Sequence, residues 1–585
     1  MRQKTILSSE RVLILLLVFC LESSYSKLFP IEPRNSFQDG RTEWPNAYIW
    51  PLPRFHHATA DLVTFDPYSF RIVPLSLERC EPLEFAIVKY SRHFLFPDMY
   101  KSPTPPDPEF PTVSRVYVEL SGAHNECLSY PQLSDNAEYE QYVLTVESTV
   151  NGTAEIKIRA DTIWGLLRGI ETFSQLIFTN AETNSSFVDA NLLKRHYYMN
   201  STTIYDWPRF PHRGLMIDSA RHYLPERIFY QILDGLMYNK MNVLHWHLSD
   251  DQSFPFVSQK FPQLSEKGAY NPKAIYTPAM IKRIQEAARL RGIRVILELD
   301  TPGHTHSLGK AFPELLTPCY GDGINPGTAD HPYHSSHENL DPTKEFTYEF
   351  MRDLFSEIAN VTKDSYIHLG LDEIYQACWQ SSPEIKSFMA KNNFTHLNEV
   401  QEYYAHRHIQ MIKSLNLKPI AWQDPLDYRV KLDKDVVIQV WKDYGLSWQD
   451  HFQAVLDKGY RTILSSPWYL NYISYGETWK SYYRADPIMS LPDITEEQEK
   501  LIVGGEACIW GEYVDKTNIL PRIFPFIGAI AERLWSANIP LDLHTAEQAR
   551  SRLDAMRCRL LRRGINAQPI LNGYCGSWET ENDYL

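Results

Sequence analysis

The chain is poor in cysteine, with eight in 585 residues, and poorer still in segments that could cross a membrane. Its one long apolar run, Val12 to Cys20, has roughly half of the ~20 residues that a spanning helix needs. No run of five like charges occurs and the formal net charge is −14, so no nucleic-acid partner held by phosphate neutralisation is expected. The glycine fingerprint of a dinucleotide-binding sheet is also missing. Gly321, Gly323 and Gly327 have the wrong spacing and follow no strand-like run. Hydrophobic residues at 43% and charged residues at 22% exclude disorder and collagen-like architecture.

The short apolar run has its own meaning. Arg2, Lys4 and Arg11 precede it and Ser23-Ser24-Tyr25-Ser26 follow it, which is the pattern of a secretory signal over residues 1–26. A short signal anchor is the competing reading; with cleavage, no integral membrane segment remains. Export fits five Asn-x-Ser/Thr sites, at Asn151, Asn184, Asn200, Asn360 and Asn393, each a candidate glycan acceptor on a surface loop. Cleavage removes Cys20 and leaves an odd seven, so at least one cysteine is free or pairs between chains. Joining neighbours would pair Cys80 with Cys127, Cys319 with Cys378 and Cys558 with Cys575. Cys508 would then stay in an apolar strand as a small hydrophobe, although other connectivities remain open.

The chain is several times longer than one compact domain, and its texture changes once. Residues 27–195 alternate like strands, as in Arg115 to Leu120 and Tyr142 to Val146. They include one helical stretch, with Asp161 placed as N-cap and apolar groups at Ile163, Leu166, Leu167, Ile170 and Phe173. This reads as a small α/β domain. Residues 196–585 instead carry eight short apolar runs: Arg213 to Asp218, Met241 to Asp250, Arg294 to Asp300, Tyr366 to Glu373, Lys418 to Asp424, Val436 to Trp441, Arg461 to Tyr469 and Ile502 to Trp510. Helical segments such as Ile228 to Tyr238 and Met280 to Arg291 lie between them. The expectation is a (β/α)8 TIM barrel with a C-terminal helical extension, in which the gap between runs five and six is short for a full helix.

Polar groups that an apolar interior would reject sit at the ends of these runs: Asp218 with Arg221, Asp250 with Asp251, Asp300 with His304, Asp372 with Glu373, Trp422 with Asp424, Trp441, Tyr469 with Asn471, and Trp510 with Glu512. In a barrel they converge on one face. Asp372 and Glu373 are adjacent, so both reach one site only if the chain bends there. Two close carboxyls do not both ionise readily, which raises one of them and makes a general acid. His245 and His247 share a strand face, and with His304 and His306 they raise a metal-dependent hydrolase as a second reading. Later strand ends supply Trp, Tyr and Asn instead of His, which favours hydrogen-bonded histidines and no metal. Trp422, Trp441 and Trp510 around a carboxyl pair make an apolar box suited to a sugar ring with a methyl group.

The segments His212 to Tyr223, Asn242 to Asp251, Asp300-Thr301-Pro302-Gly303-His304 and Gly505 to Glu512 resemble those of family 20 glycoside hydrolases, the β-N-acetylhexosaminidases, and most of all the animal lysosomal subunits. The similarity runs in order from about Trp44 to Cys575. It implies the three disulfides named above, a homodimer, a lysosomal or secreted location and no cofactor. It implies that Glu373 protonates the glycosidic oxygen while Asp372 orients the 2-acetamido group of a terminal β-N-acetylhexosaminide, whose own carbonyl oxygen attacks the anomeric carbon. Trp422, Trp441 and Trp510 would wall the acetamido pocket and Tyr469 would donate to the carbonyl oxygen. Arg221, Asn471 and Glu512 would bind hydroxyls, with Asp250 and His304 supporting the acid. Two positions depart from the family pattern. Leu371 replaces a glycine before the carboxyl pair; if φ is positive there, a branched side chain costs on the order of 1 kcal/mol and could displace the pair, leaving a sugar-binding homologue without turnover. Tyr472 stands where members acting on anionic sugars carry a basic residue.

Overall fold

The computed structural model describes residues 48–575, apart from 76–78, 93, 97–104, 123, 149–152, 180–195, 330–334 and 538. The leader expected at 1–26 and the sites Asn151 and Asn184 lie outside the described residues.

The first sheet contains β1 (Phe55–Phe65), β2 (Arg71–Leu75), β3 (Thr112–Val113), β4 (Arg115–Leu120), β5 (Tyr142–Ser148), β6 (Ala154–Ala160), β7 (Phe178–Thr179) and β8 (Tyr197–Asp206). Their order is β2-β4-β6-β5-β8-β1-β3, with β7 paired to β8. In β6 every second residue is buried, the period that a sheet with one covered face imposes. β8 lies beyond the boundary expected at 195: its residues continue the alternation of this sheet, pairing with β1 and β5. The helix Ile163–Leu176 packs on the sheet and is buried along its whole length. Its N-cap is Thr162 rather than Asp161, because the Thr162 hydroxyl accepts from Gly165 N at 3.0 Å. Gly165 is required there: a Cβ would lie 2.2 Å from the Gln141 carbonyl oxygen.

The second sheet is a closed, all-parallel barrel of β9 (His212–Asp218), β10 (Val243–His247), β11 (Arg294–Thr301), β14 (Tyr366–Gly370), β15 (Lys418–Trp422), β16 (Val437–Val440), β17 (Thr462–Leu464) and β18 (Ile502–Ile509). Each strand matches one of the eight expected apolar runs, with β9 starting one residue earlier and β11 ending one residue later than its run. The short β12 (Leu316–Pro318) and β13 (His337–Leu340) pair with each other outside the barrel. Between β15 and β16 the crossover holds only the single-turn helix Asp424–Asp427, as the short gap implied. After β18 the helix Phe526–Trp535 packs against β18 and β9, and Leu543–Arg562 follows against that helix. Disulfides join Cys80 to Cys127, Cys319 to Cys378 and Cys558 to Cys575, and Cys508 is free and buried.

The first sheet docks on the N-terminal end of the barrel, which leaves the opposite end free for a site. Glu140 is the joint. It accepts from Arg168 Nε at 2.7 Å, on the sheet's helix, and from Arg213 at 2.7 and 2.8 Å, on β9. Beside it, Lys240 Nζ donates to Asp206 at 2.9 Å and to the Tyr142 hydroxyl at 3.0 Å. Burial opposes the charge on Glu140, but Arg213 and Arg168 outweigh it and hold the carboxyl at about 2, below its ordinary 4.5. The stabilisation is therefore fully present above pH 4.5 and is lost as pH falls toward 2. Glu140→Ala, which leaves two buried guanidinium groups unpaired, should cost about 3–5 kcal/mol of stability near neutral pH. A denaturant midpoint unchanged from the parent protein would contradict this role.

Candidate active site

Inward positions on a strand are two residues apart, so the barrel interior is built in layers. An apolar layer holds Val243, Ile296, Tyr366, Ile420, Val437, Ile463 and Val503, and below it the buried Arg294 pairs with Asp364 at 2.7 Å. The next inward positions carry His245, Glu298, His368, Gln439 and Glu506. Glu298 is the centre of this polar layer. Its carboxylate lies 2.6 Å from His247 Nδ1, 2.9 Å from His368 Nδ1 and 3.1 Å from His245 Nε2, and it accepts from Trp422 Nε1 at 2.9 Å. Glu506 in turn meets His212 at 2.8 Å, His245 at 2.7 Å and Gln439 at 2.8 Å. Burial opposes the charge on Glu298, yet His247, His368 and His245 keep its carboxyl well below the usual range. His245 and His247 thus belong to a hydrogen-bonded carboxylate network.

Above this layer the chain bends where β14 ends. Gly370 has φ 71°, Leu371 φ 72° and Glu373 φ 44°, all left-handed, and this turns both Asp372 and Glu373 toward the mouth. Gly370 allows the approach of β11, since a Cβ would stand 1.5 Å from Asp300 Oδ1. Burial pushes Asp372 up to about 7; His304 opposes this and the charge of Asp424 adds to it. Asp300 is raised as well, by burial and by Asp372 beside it. Glu373 is more open, its side chain 53% exposed, and His304 at 3.5 Å holds it below its ordinary value. The raised member of the adjacent pair is therefore Asp372, not the expected acid Glu373, because Asp372 is the one enclosed by protein.

A chain of contacts links Glu373 to the polar layer. His304, at φ 57° after the cis Thr301-Pro302 bond, places Nδ1 3.3 Å from Asp250 and Nε2 3.7 Å from Asp372. Asp250 also receives His247 Nε2 at 2.8 Å and Arg221 at 2.8 Å. Burial opposes the charge on Asp250, but His304 and Arg221 hold it far below the usual carboxylate range. Arg221 donates further to Asp218 at 2.9 Å, lies over the Trp510 ring at 4.9 Å and reaches Glu512 at 3.9 Å.

The opposite wall is aromatic. Trp422, Tyr469, Met216 and Cys508 form one buried cluster, against which Trp441 and Trp510 pack half-buried. The Trp422 and Trp510 rings lie 5.9 Å apart, and Trp441 Nε1 donates to Asp424 at 2.7 Å. Asn471 Oδ1 is buried at the rim without a partner. These contacts bring ten of the eleven expected residues together at the C-terminal mouth of the barrel, and Asn471 follows Tyr469 by two residues. An arrangement of this kind offers a methyl-sized apolar box, a carboxyl pair at its edge and an Arg/Glu/Asn rim for hydroxyls.

Comparison with known proteins decides the family. Residues 210–538 match the family description "Glycosyl hydrolase family 20, catalytic domain", and residues 49–176 match "beta-acetyl hexosaminidase like". The chain belongs to glycosyl hydrolase family 20. It is 40% identical to the β-hexosaminidase subunit alpha of Mus musculus, covering 90% of this chain and 94% of the mouse protein. It is 39% identical to the subunit beta of Homo sapiens, over 91% and 90% of the two chains. The chitobiase of Flavobacterium johnsoniae superposes with a TM-score of 0.72 at 27% identity, over 88% of this chain and 73% of the bacterial one. This family 20 chain is a glycoside hydrolase.

Glu298 escaped the sequence reading of this family 20 site, which had His247 as a hydrogen-bonded histidine and Asp424 as a strand-end group without an assigned role. The signal was there for Glu298, a charged residue on the inward face of an otherwise apolar strand. Of the glycan sites, Asn360 and Asn393 are exposed. Asn200 is 3% exposed and its Nδ2 donates to the Thr59 carbonyl at 2.9 Å, so the folded sheet has no room for a glycan there. Leu371 does adopt positive φ, but its side chain is 1% exposed in the main hydrophobic core, and the carboxyl pair stays at the mouth. Leu371→Gly would relieve roughly 1 kcal/mol of backbone cost and lose about 2–5 kcal/mol of packing. The variant should be less stable while still hydrolysing glycosides; lost hydrolysis at unchanged stability would contradict this.

Proposed function

We propose that the chain is a retaining exo-β-N-acetylhexosaminidase that removes terminal β-linked GlcNAc or GalNAc from glycoconjugates. The observation that carries the reading is the buried aromatic cluster of Trp422 and Tyr469, with Trp441 and Trp510 against it, beside the bend that presents Asp372 and Glu373. The 2-acetamido methyl fills the box, and its N–H donates to the Asp372 carboxylate. The acetamido carbonyl oxygen then forms a bond to the anomeric carbon as the bond to the glycosidic oxygen breaks, and Glu373 gives that oxygen its proton. Tyr469 donates to the carbonyl oxygen, and the product is an oxazolinium ring, the substrate-assisted route. Water opens the ring with Glu373 acting as base, and the configuration is retained. Arg221, Asn471 and Glu512 bind the hydroxyls, while Asp250 holds His304 toward the acid.

Protonation states fit this sequence of events once substrate is bound. In the free protein Asp372 holds a proton up to about pH 7 and Glu373 is ionised at lower pH. An acetamido N–H stabilises ionised Asp372, and a bound sugar excludes water from Glu373 and favours its neutral form. The pair carries one proton between the two values, so kcat/KM should be bell-shaped. It should fall as Glu373 also protonates at low pH, and fall again above about pH 7, where both carboxyls are ionised.

Tyr472, 54% exposed beside the Tyr469 ring, supplies no positive charge, which supports uncharged over sulfated terminal sugars. We also propose a homodimer and a secretory-pathway location, lysosomal or secreted. The homodimer draws support from the family resemblance and from Ile473 and Tyr475, exposed at 72% and 98% near the mouth. The location draws support from the signal-like residues 1–26 and the exposed sequons. No helix among the described residues is long and apolar enough to cross a membrane. The test is hydrolysis of an aryl β-N-acetylglucosaminide from acid to neutral pH. Glu373→Gln should lose most turnover while remaining folded, by a factor of about 10²–10⁴ for a positioned general acid. Asp372→Asn should hurt substrates with the acetamido group far more than those without it. Near-normal activity of Glu373→Gln, or a parent protein that binds a thiazoline mimic but hydrolyses nothing, would contradict the reading.

A further inference from the structure

Asp424 ends the β15 run and has no place in the chemistry just described, yet it touches both halves of the site. It is 2% exposed. Its Oδ2 accepts from Trp441 Nε1 at 2.7 Å, and its Oδ1 accepts from the backbone N–H of Glu373 at 3.3 Å. Lys442, directly after Trp441, places Nζ 2.9 Å from Asp424 Oδ1 and 2.7 Å from Asp427 Oδ2. Gln423 closes the unit from below: its Oε1 accepts from the backbone N–H of Trp441 at 3.0 Å and of Lys442 at 3.1 Å. A bare hydrogen-bond acceptor could hold the indole. Burial raises the Asp424 carboxyl above its ordinary value, and the buried ammonium of Lys442 opposes this and favours the charged form.

We propose that Asp424, paired with Lys442, is a positioning residue that locks Trp441 to the backbone of Glu373 and sets the charge felt by both carboxyls of the catalytic pair. This rests on the hexosaminidase reading above. The lock has a simple geometric sense. The wall that grips the acetamido group and the segment that carries the acid come from different strands, β16 and β14, and one carboxylate joins them. A ligand that seats against Trp441 therefore meets an acid already in register with it.

The electrostatic half can be followed group by group. Around Asp424 stand Lys442 from the β16 end, Asp372 and Glu373 from the β14 end, Asp427 on its own turn and Tyr444. Around the catalytic pair stand also His304, Asp300, Glu298 and Arg221. Asp424 pushes Asp372 up, and Lys442 pulls Glu373 down. The two charges act in opposite directions, so removing one leaves the other unopposed.

The test is the pH profile of kcat/KM for an aryl β-N-acetylglucosaminide. Asp424→Asn removes the negative charge and leaves Lys442, so ionised Asp372 and ionised Glu373 are both favoured. Both limbs should move to lower pH, by about 0.5–1 unit, and KM should rise several-fold as Trp441 loosens. The double variant Asp424→Asn/Lys442→Met removes both charges; its limbs should return to the parent positions while KM stays raised. If Asp424→Asn does not accumulate as folded protein, Lys442→Met is read instead, with both limbs moving to higher pH. Limbs that keep the parent positions in the folded single variant would overturn the proposal, as would an unchanged KM. A parent protein with no hydrolysis at all would sink the hexosaminidase reading instead, so the two failures are distinguishable.

Discussion

One buried carboxylate, Glu298, is the constraint on which the site depends. It stands above an apolar layer of the barrel, and such a charge survives there only because donors surround it. Those donors are not passive. Trp422 is a wall of the aromatic box proposed to hold the acetamido group, and His247 passes the arrangement on to Asp250, which fixes Arg221 and His304. His368 lies on the strand that bends two residues later to present Asp372 and Glu373. Orientation of the carboxyl pair, Arg221 and the aromatic wall thus share a single origin inside the barrel. Preorganisation of this kind lets polar groups meet developing charge without rearranging.

The backbone contributes its own share. Gly370, Leu371 and Glu373 all take left-handed conformations in one short segment, and His304 does so opposite them. Such strain persists where surrounding structure over-determines it. Here Gly370 lies against Asp300, and Leu371, instead of projecting into the site, fills the core behind it. A leucine at a position suited to glycine is therefore compatible with the carboxyl pair, because its packing offsets its backbone cost. The small domain adds rigidity from below, through Glu140 and Asp206 at the barrel's closed end.

Much of this was legible from residues alone. Each of the eight apolar runs overlaps a barrel strand, and the polar groups at their ends meet at one mouth, because inward alternation and parallel strands leave few other outcomes. The family resemblance supplied roles that spacing could not, such as which carboxyl serves as acid. Three things were hidden. Which acid is raised depends on enclosure, and adjacency in sequence says nothing of whether Asp372 or Glu373 faces solvent. The strand Tyr197–Asp206 was counted with the barrel, because its partners β1 and β5 lie far from it in sequence. The burial of Asn200 follows from pairing with β1, more than a hundred residues earlier, which no local motif records.

The central claim is that the substrate's own acetamido oxygen is the nucleophile and that the barrel holds it in place. The most direct measurement is the turnover of aryl β-glucosaminides whose N-acetyl group carries none, one, two or three fluorines. Fluorine weakens the carbonyl oxygen as a nucleophile while changing the size of the group little. The expected result is a steep fall in kcat along the series, at each step tracking the electron withdrawal. A flat response, with only KM changing, would contradict the account.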